Sequence, residues 1–230
     1  MSHSCWRKKL IVNLTNYSDS RQFLANLRIF LTYLFVFLLT QFNNVAHSFD
    51  FDEGIDYKVI NTSGSKSSNK LEVIEFFGYF CPHCKSFSPA IKKWEKSLPS
   101  NVKFSQLHVP FRDINHQRLF FALENINSEE KLHYKIFNAV QVQRLPLNNF
   151  LDILSWVEDQ GIDEKIFEES WNSTKVKSDM NKASKLMKLY KIDGVPQIVV
   201  NGSYITSPAM VGGSHKRVLK LVNYLLKKKQ

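Results

Sequence analysis

Cysteine is scarce in this chain: there are three in 230 residues, and only Cys81 and Cys84 lie outside the N-terminal segment that carries Cys5. A fold stapled by several disulfides is thereby excluded. No block of basic residues interleaved with aromatics occurs, so nucleic acid is a poor candidate partner despite a net charge of +10. Internal repeats and low-complexity tracts are missing as well. The apolar run from Ile29 to Leu39 is 11 residues long, short of the roughly 20 that a membrane span needs.

That run follows Arg21 and Arg28 and precedes Ala46-His47-Ser48, which suits a signal-peptide core cleaved before Phe49. An uncleaved anchor from Phe23 to Phe42 is the competing reading, and both place the remainder outside the cytoplasm. The leader ahead of Ile29 is long, so a start near Leu24 or Leu27, which would remove Cys5, stays open. Residues 1–48 hold five basic and one acidic residue, leaving 26 basic and 20 acidic, a net +6. Such a surplus favours anionic partners or a membrane surface. With 43% hydrophobic and 23% charged residues, the chain can bury one core with an insertion, or two small ones.

What is present centres on Cys81-Pro82-His83-Cys84, directly after the apolar run Val73 to Phe80. The spacing puts both thiols where a buried strand becomes a helix. A helix starting there leaves N–H groups unpaired around Cys81 and points its positive dipole end at that sulfur, favouring the thiolate. Pro82 suits the first helical position. Cys84 lies three residues on, on the same face, close enough to form or resolve a disulfide. A zinc site would need further ligands from histidines such as His108, His133 or His215, and a purely structural disulfide at this spacing would be strained.

The periodicities predict strands over Tyr57 to Ile60, Glu72 to Phe77 and Val102 to Val109, with a helix from Pro82 to about Leu98 that Pro89 should bend. From Ile114 to Asp179 only helical spacing appears, in about four segments broken near Asn127-Ser128, Leu145-Pro146 and Gln160-Gly161. A helix from Ser178 to Tyr190, a hairpin of Gln197 to Val200 and Ser203 to Ile205 turning at Asn201-Gly202, and a helix from Ser214 to Lys227 complete the order. The fold class is α/β: a thioredoxin fold with an inserted all-helical domain. Its expected organisation is a leader over 1–48, thioredoxin-like parts over 49–111 and 179–230, and the helical insert over 112–178.

Glu75 to Cys84, the pair Val195-Pro196, the Asn201-Gly202 turn and the helical insert together resemble the DsbA family of exported bacterial disulfide-forming oxidases. The likeness covers about Phe49 to Lys229. It implies that Cys81 is the exposed nucleophile and Cys84 its buried partner, that Pro82 and His83 tune the redox poise, and that Pro196 is a cis-proline beside the disulfide. Val195 would then pair with an extended substrate segment. Val109-Pro110, at a strand end, reads as an ordinary trans turn. Glu75, a carboxyl in a buried strand, should have a raised pKa and serve the Cys84 proton. The resemblance implies no metal and no cofactor. Its partners would be newly translocated cysteine-containing proteins and a reoxidising membrane protein of the DsbB type, and the chain would work as a periplasmic monomer, anchored if the leader is kept. Gln106 stands where the family has Lys, Ser88 where it has Glu, and Pro89 looks like thioredoxin. An isomerase or reductase, or a chaperone-like peptide-binding module, are the alternatives.

Overall fold

The computed structural model describes residues 22–36, 51–60 and 71–228. Residues 22–36 form helix α1 within a first compact unit, and the second unit begins at Phe51. Among the described residues no helix is long and apolar enough to cross a membrane. The expected cleavage site before Phe49, Cys5, the Phe37 to Phe42 end of the Phe23 to Phe42 span and all of the stretch from Asn61 to Asn69 lie outside the described residues.

The second unit is built on a five-stranded sheet, ordered β1-β5-β4-β2-β3. Its strands are β1 (Lys58–Val59), β2 (Leu71–Phe77), β3 (Val102–His108), β4 (Gln197–Val200) and β5 (Tyr204–Thr206). β2 pairs parallel with β3 and antiparallel with β4. A parallel pair needs a crossover, and α2 (Pro82–Glu95) supplies it. The β4–β5 turn uses Asn201 and Gly202 at φ 52° and 63°, the left-handed pair that a type I′ turn requires. That hairpin returns one residue later than its apolar pattern suggests, at Tyr204 rather than Ser203.

β2 is buried from Val73 onward, so its alternate residues enter two different cores. Val73 packs with Phe87 and Ile91 of α2 and with Val218, Leu221 and Val222 of α8 (His215–Lys227). Ile74 and Phe76 point the other way, to Tyr190 and Ile192. Each such fully buried side chain contributes about 1.5–3 kcal/mol. The buried face of α2 recurs as Cys84, Phe87, Ser88, Ile91 and Trp94, the spacing of one helical stripe. The helix runs through Pro89 and stops at Glu95 instead of Leu98, because Ser97 and Leu98 turn back onto Trp94 and Glu95.

Between β3 and β4 lie α3 (Ile114–Asn125), α4 (Glu129–Gln141), α5 (Phe150–Asp159), α6 (Glu164–Asn172) and α7 (Thr174–Leu189). Side-chain caps start four of them: Asp113, Asn149, Asp163 and Ser173 accept from backbone N–H groups two or three residues on. Ser173 corrects the expected helix start at Ser178: it ends α6 and caps α7 at once, so α7 begins at Thr174. The cap is a stronger start signal than the sparse apolar spacing over Lys175 to Ser178. The core of this helical block, including Leu123, Ile136 and Phe137, is continuous with Phe77, Tyr79 and both cysteines. Cys81 and Cys84 therefore sit on the seam between sheet and insert.

Candidate active site

Cys81 occupies the cap position of α2 in an extended conformation (φ −93°, ψ 115°), with Pro82 first in the helix. Its Sγ accepts from the Cys84 backbone N–H at 3.3 Å. Both cysteines are free thiols. The sequence leads one to expect an exposed Cys81, and the structure corrects this: Cys81 is 6% exposed and Cys84 1%. The cover comes from the Val195 loop, whose carbonyl accepts from Cys81 Sγ at 3.3 Å. The Val195–Pro196 bond is cis and is the one cis peptide among the described residues, so Val109–Pro110 is trans.

The two thiols are driven apart in acidity. Cys81 falls from an ordinary 9.0 to about 6, first because the Cys84 thiol donates to its sulfur. Burial opposes that shift, while the backbone N–H groups of Cys84 and His83 and, last, the charge of His83 assist it. The ranking revises the sequence reading, which rests on the helix start and His83 and leaves the second thiol out. Cys84 is held well above its usual range by burial and by its bond to Cys81. The exposed His83 borders a groove of about 270 Å³ that Val195, Pro196, Ser207, Pro208 and His215 also line.

Glu75 lies in β2 directly between Ile198 of β4 and Gln106 of β3, 1% exposed. Its Oε2 accepts from Gln106 Nε2 at 2.7 Å. Burial without a cation raises its pKa from 4.5 to about 8, against the lowering effect of the Gln106 bond. The expected ammonium partner is thus replaced by a neutral amide. Gln106 and the buried Ser88 also face a cavity of about 430 Å³ between α2 and α4, with Glu129 and His133.

Other residues of the site carry no signal in a motif. The Tyr79 backbone N–H donates to His108 Nε2 at 3.0 Å, and Gln117 Nε2 donates to the His108 carbonyl at 2.7 Å. Gln141 Nε2 donates to the carbonyls of Tyr79 (2.8 Å) and Cys81 (3.0 Å). His133 Nδ1 meets Glu129 at 2.8 Å and the Tyr79 hydroxyl at 3.3 Å. His108 and His133, weighed from sequence as zinc ligands, are packed on the Phe77 and Tyr79 rings. Among the described residues no three metal-binding side chains cluster. Of the aromatics near the motif only Phe80 is partly open, with Arg112 stacked over its ring at 5.7 Å.

A thioredoxin-type sheet, a CxxC pair at a helix start and a cis-proline beside it define a thiol:disulfide oxidoreductase. The comparisons narrow the class. A thioredoxin family model matches residues 59–117, and a model of the DSBA-like thioredoxin domain matches residues 114–220. The thiol:disulfide interchange protein DsbA of Burkholderia cepacia is 38% identical over 181 residues, covering 77% of this chain and 85% of its own. The same-named protein of Pseudomonas aeruginosa is 33% identical over 82% of this chain and 90% of its own. A crystal structure of Pseudomonas aeruginosa DsbA superposes with TM-score 0.73 at 33% identity, covering 77% of this chain and 94% of that one. The chain belongs to the DsbA family of thiol:disulfide oxidoreductases.

Proposed function

We propose that the protein is an exported thiol oxidase that passes the Cys81–Cys84 disulfide to newly translocated proteins in the periplasm. The observation that carries this reading is the asymmetry of the two thiols, one near pKa 6 and one held far above it. In the oxidised protein a substrate thiolate attacks Cys81 Sγ. The Cys81–Cys84 bond breaks, a mixed disulfide forms on Cys81, and Cys84 leaves with the electron pair and takes a proton. A second substrate thiolate attacks the substrate sulfur of that mixed disulfide, and Cys81 leaves as a thiolate. Two substrate thiols become one disulfide while the enzyme gains two electrons. A low-pKa Cys81 is the better leaving group and stabilises the reduced product.

Glu75 is the candidate proton reservoir for Cys84: both thiols interact with it electrostatically, and near neutral pH it exchanges a proton readily. His83 and Pro82 tune the start of the helix. Val195 and Pro196 form the edge along which an extended substrate chain would lie, beside the 270 Å³ groove. Reoxidation would fall to a membrane protein of the DsbB type, and the enzyme would act as a monomer. An oxidase should show an equilibrium redox potential against glutathione well above the roughly −270 mV of thioredoxin. A value near thioredoxin's would favour the reductase or isomerase reading, with Gln106, Ser88 and Pro89 as the departures to blame.

A further inference from the structure

The turn that delivers Cys81 to α2 is held by its peptide groups. Cys81 N–H closes onto the Gly78 carbonyl at 3.0 Å. Within the turn, Tyr79 is clamped at both ends by side chains from distant elements. Its N–H reaches His108 of β3, and its C=O reaches Gln141 of α4. The same Gln141 amide nitrogen also takes the Cys81 carbonyl. Gln141 is the last residue of α4, and the chain turns away directly after it: Val142 and Gln143 both donate to the Asn138 carbonyl. Its side chain thus lies at the end of the helix that abuts the redox turn.

We propose that Gln141 is a positioning residue for Cys81, through which the helical insert fixes how the redox sulfur faces the start of α2. The control is exerted through a backbone dihedral. The direction of the Cys81 carbonyl is set by ψ of Cys81, and that carbonyl has two donors, Lys85 N–H at 3.2 Å within the helix and Gln141 from outside it. Turning the carbonyl rotates the peptide that leads into His83 and Cys84, whose N–H groups solvate the Cys81 sulfur. Holding the carbonyl therefore holds the sulfur against its donors. Gln141 suits this role because an amide nitrogen has two hydrogens for two acceptors. A glutamate of the same shape would present only acceptors to two carbonyls and set a negative charge beside the thiolate.

This inference deepens the proposed oxidase function, but its test does not depend on the direction of electron flow. The measurement is thiolate absorbance of the reduced full-length protein against pH, alongside the equilibrium constant with glutathione and the thermal midpoint. Gln141→Glu should raise the Cys81 titration midpoint by about one unit, with the equilibrium moved about tenfold toward the disulfide form. Gln141→Met, neutral and of similar length, should move both in the same direction by about threefold, and decides the matter should the glutamate variant fail to fold. Gln141→Asn keeps the amide but shortens its reach, and should resemble the methionine variant. A lower thermal midpoint with an unchanged titration and equilibrium constant in Gln141→Met would reduce Gln141 to a structural tie and overturn the proposal. A wild-type potential near thioredoxin's would instead overturn the oxidase reading while leaving the Gln141 comparison intact.

Discussion

Around Cys81 the groups that set its acidity come from within three residues of chain, whereas around Glu75 every neighbour is brought by another strand or helix. The first region is a helix start: cap, proline, two N–H groups and a second thiol. The second is a row across the sheet, Ile198, Glu75 and Gln106, of which Gln106 faces a cavity shared with Ser88 of α2. Local geometry stabilises a charge at Cys81. Long-range packing withholds one at Glu75. The two environments are coupled, since the charge on Cys81 raises the Glu75 pKa and that on Glu75 raises the Cys84 pKa.

Breaking the first region outright should have the largest effect. Cys81→Ser is expected to reduce disulfide transfer to the uncatalysed background in a thiol-oxidation assay on a reduced, unfolded substrate. A chaperone-like binding module would keep its peptide binding and its activity in the same variant.

The second region should show itself in stability. Glu75 has a folded pKa of about 8 against 4.5, so the folded state holds a proton that the unfolded state releases. Stability from this residue is therefore unaffected below pH 4.5, declines as pH rises toward 8 and stays low above it. The full difference is on the order of 5 kcal/mol. Glu75→Gln removes the titration and keeps a partner for Gln106, so its urea-unfolding profile should be flatter over pH 4.5 to 8. The oxidised protein is the right sample, since Cys81 then does not titrate. A wild-type profile as flat as the variant's would show that Glu75 is not held neutral. Gln106→Lys sharpens the point: a cation at that position should bring Glu75 down and flatten the decline.

Cys84 tests which local group dominates at Cys81. Cys84→Ala removes the strongest favourable contact and should raise the Cys81 titration midpoint by about two units. Cys84→Ser keeps a donor and should raise it less. The sign for the wild type follows from its depressed pKa: the reduced fold gains from the Cys81 thiolate fully above pH 9, and loses that gain as pH falls through 6. His83→Ala should shift the midpoint by only about half a unit, because the backbone N–H remains when the ring is gone. A larger shift from His83 than from Cys84 would reverse the ranking.

The same contrast explains what could be read from the sequence. Cys81, Pro82 and Cys84 were legible because a helix start is a local pattern, and the strands and the α2 stripe were legible because burial imposes periods of 2 and 3.6. Glu75 stood out as a charge inside an apolar strand. Its partner could be placed only once the parallel register set Gln106 opposite it. His108, Gln117 and Gln141 act through contacts spanning 9 to 62 residues, and a single glutamine at a helix end looks like any other. The start of α7 was missed for a different reason: one serine closes α6 and opens α7, so no loop of turn-forming residues marks the junction.

The smallest expected effect on the Cys81 midpoint concerns how far the local region extends along α2. Pro89 lies inside the helix, is exposed, and deprives the Lys85 carbonyl of its helical donor. Pro89→Ala restores that donor, and should stabilise the protein by about 1–3 kcal/mol as read by urea unfolding. The groups that solvate the Cys81 sulfur all precede Pro89, at His83 and Cys84. The titration midpoint of Cys81 should therefore stay where it is. A gain in stability without a change in midpoint would mean that, within α2, only the first turn bears on the sulfur. A midpoint that moves with Pro89 would mean that the whole helix, bent or straight, positions the sulfur, and that the thioredoxin-like proline is part of the tuning.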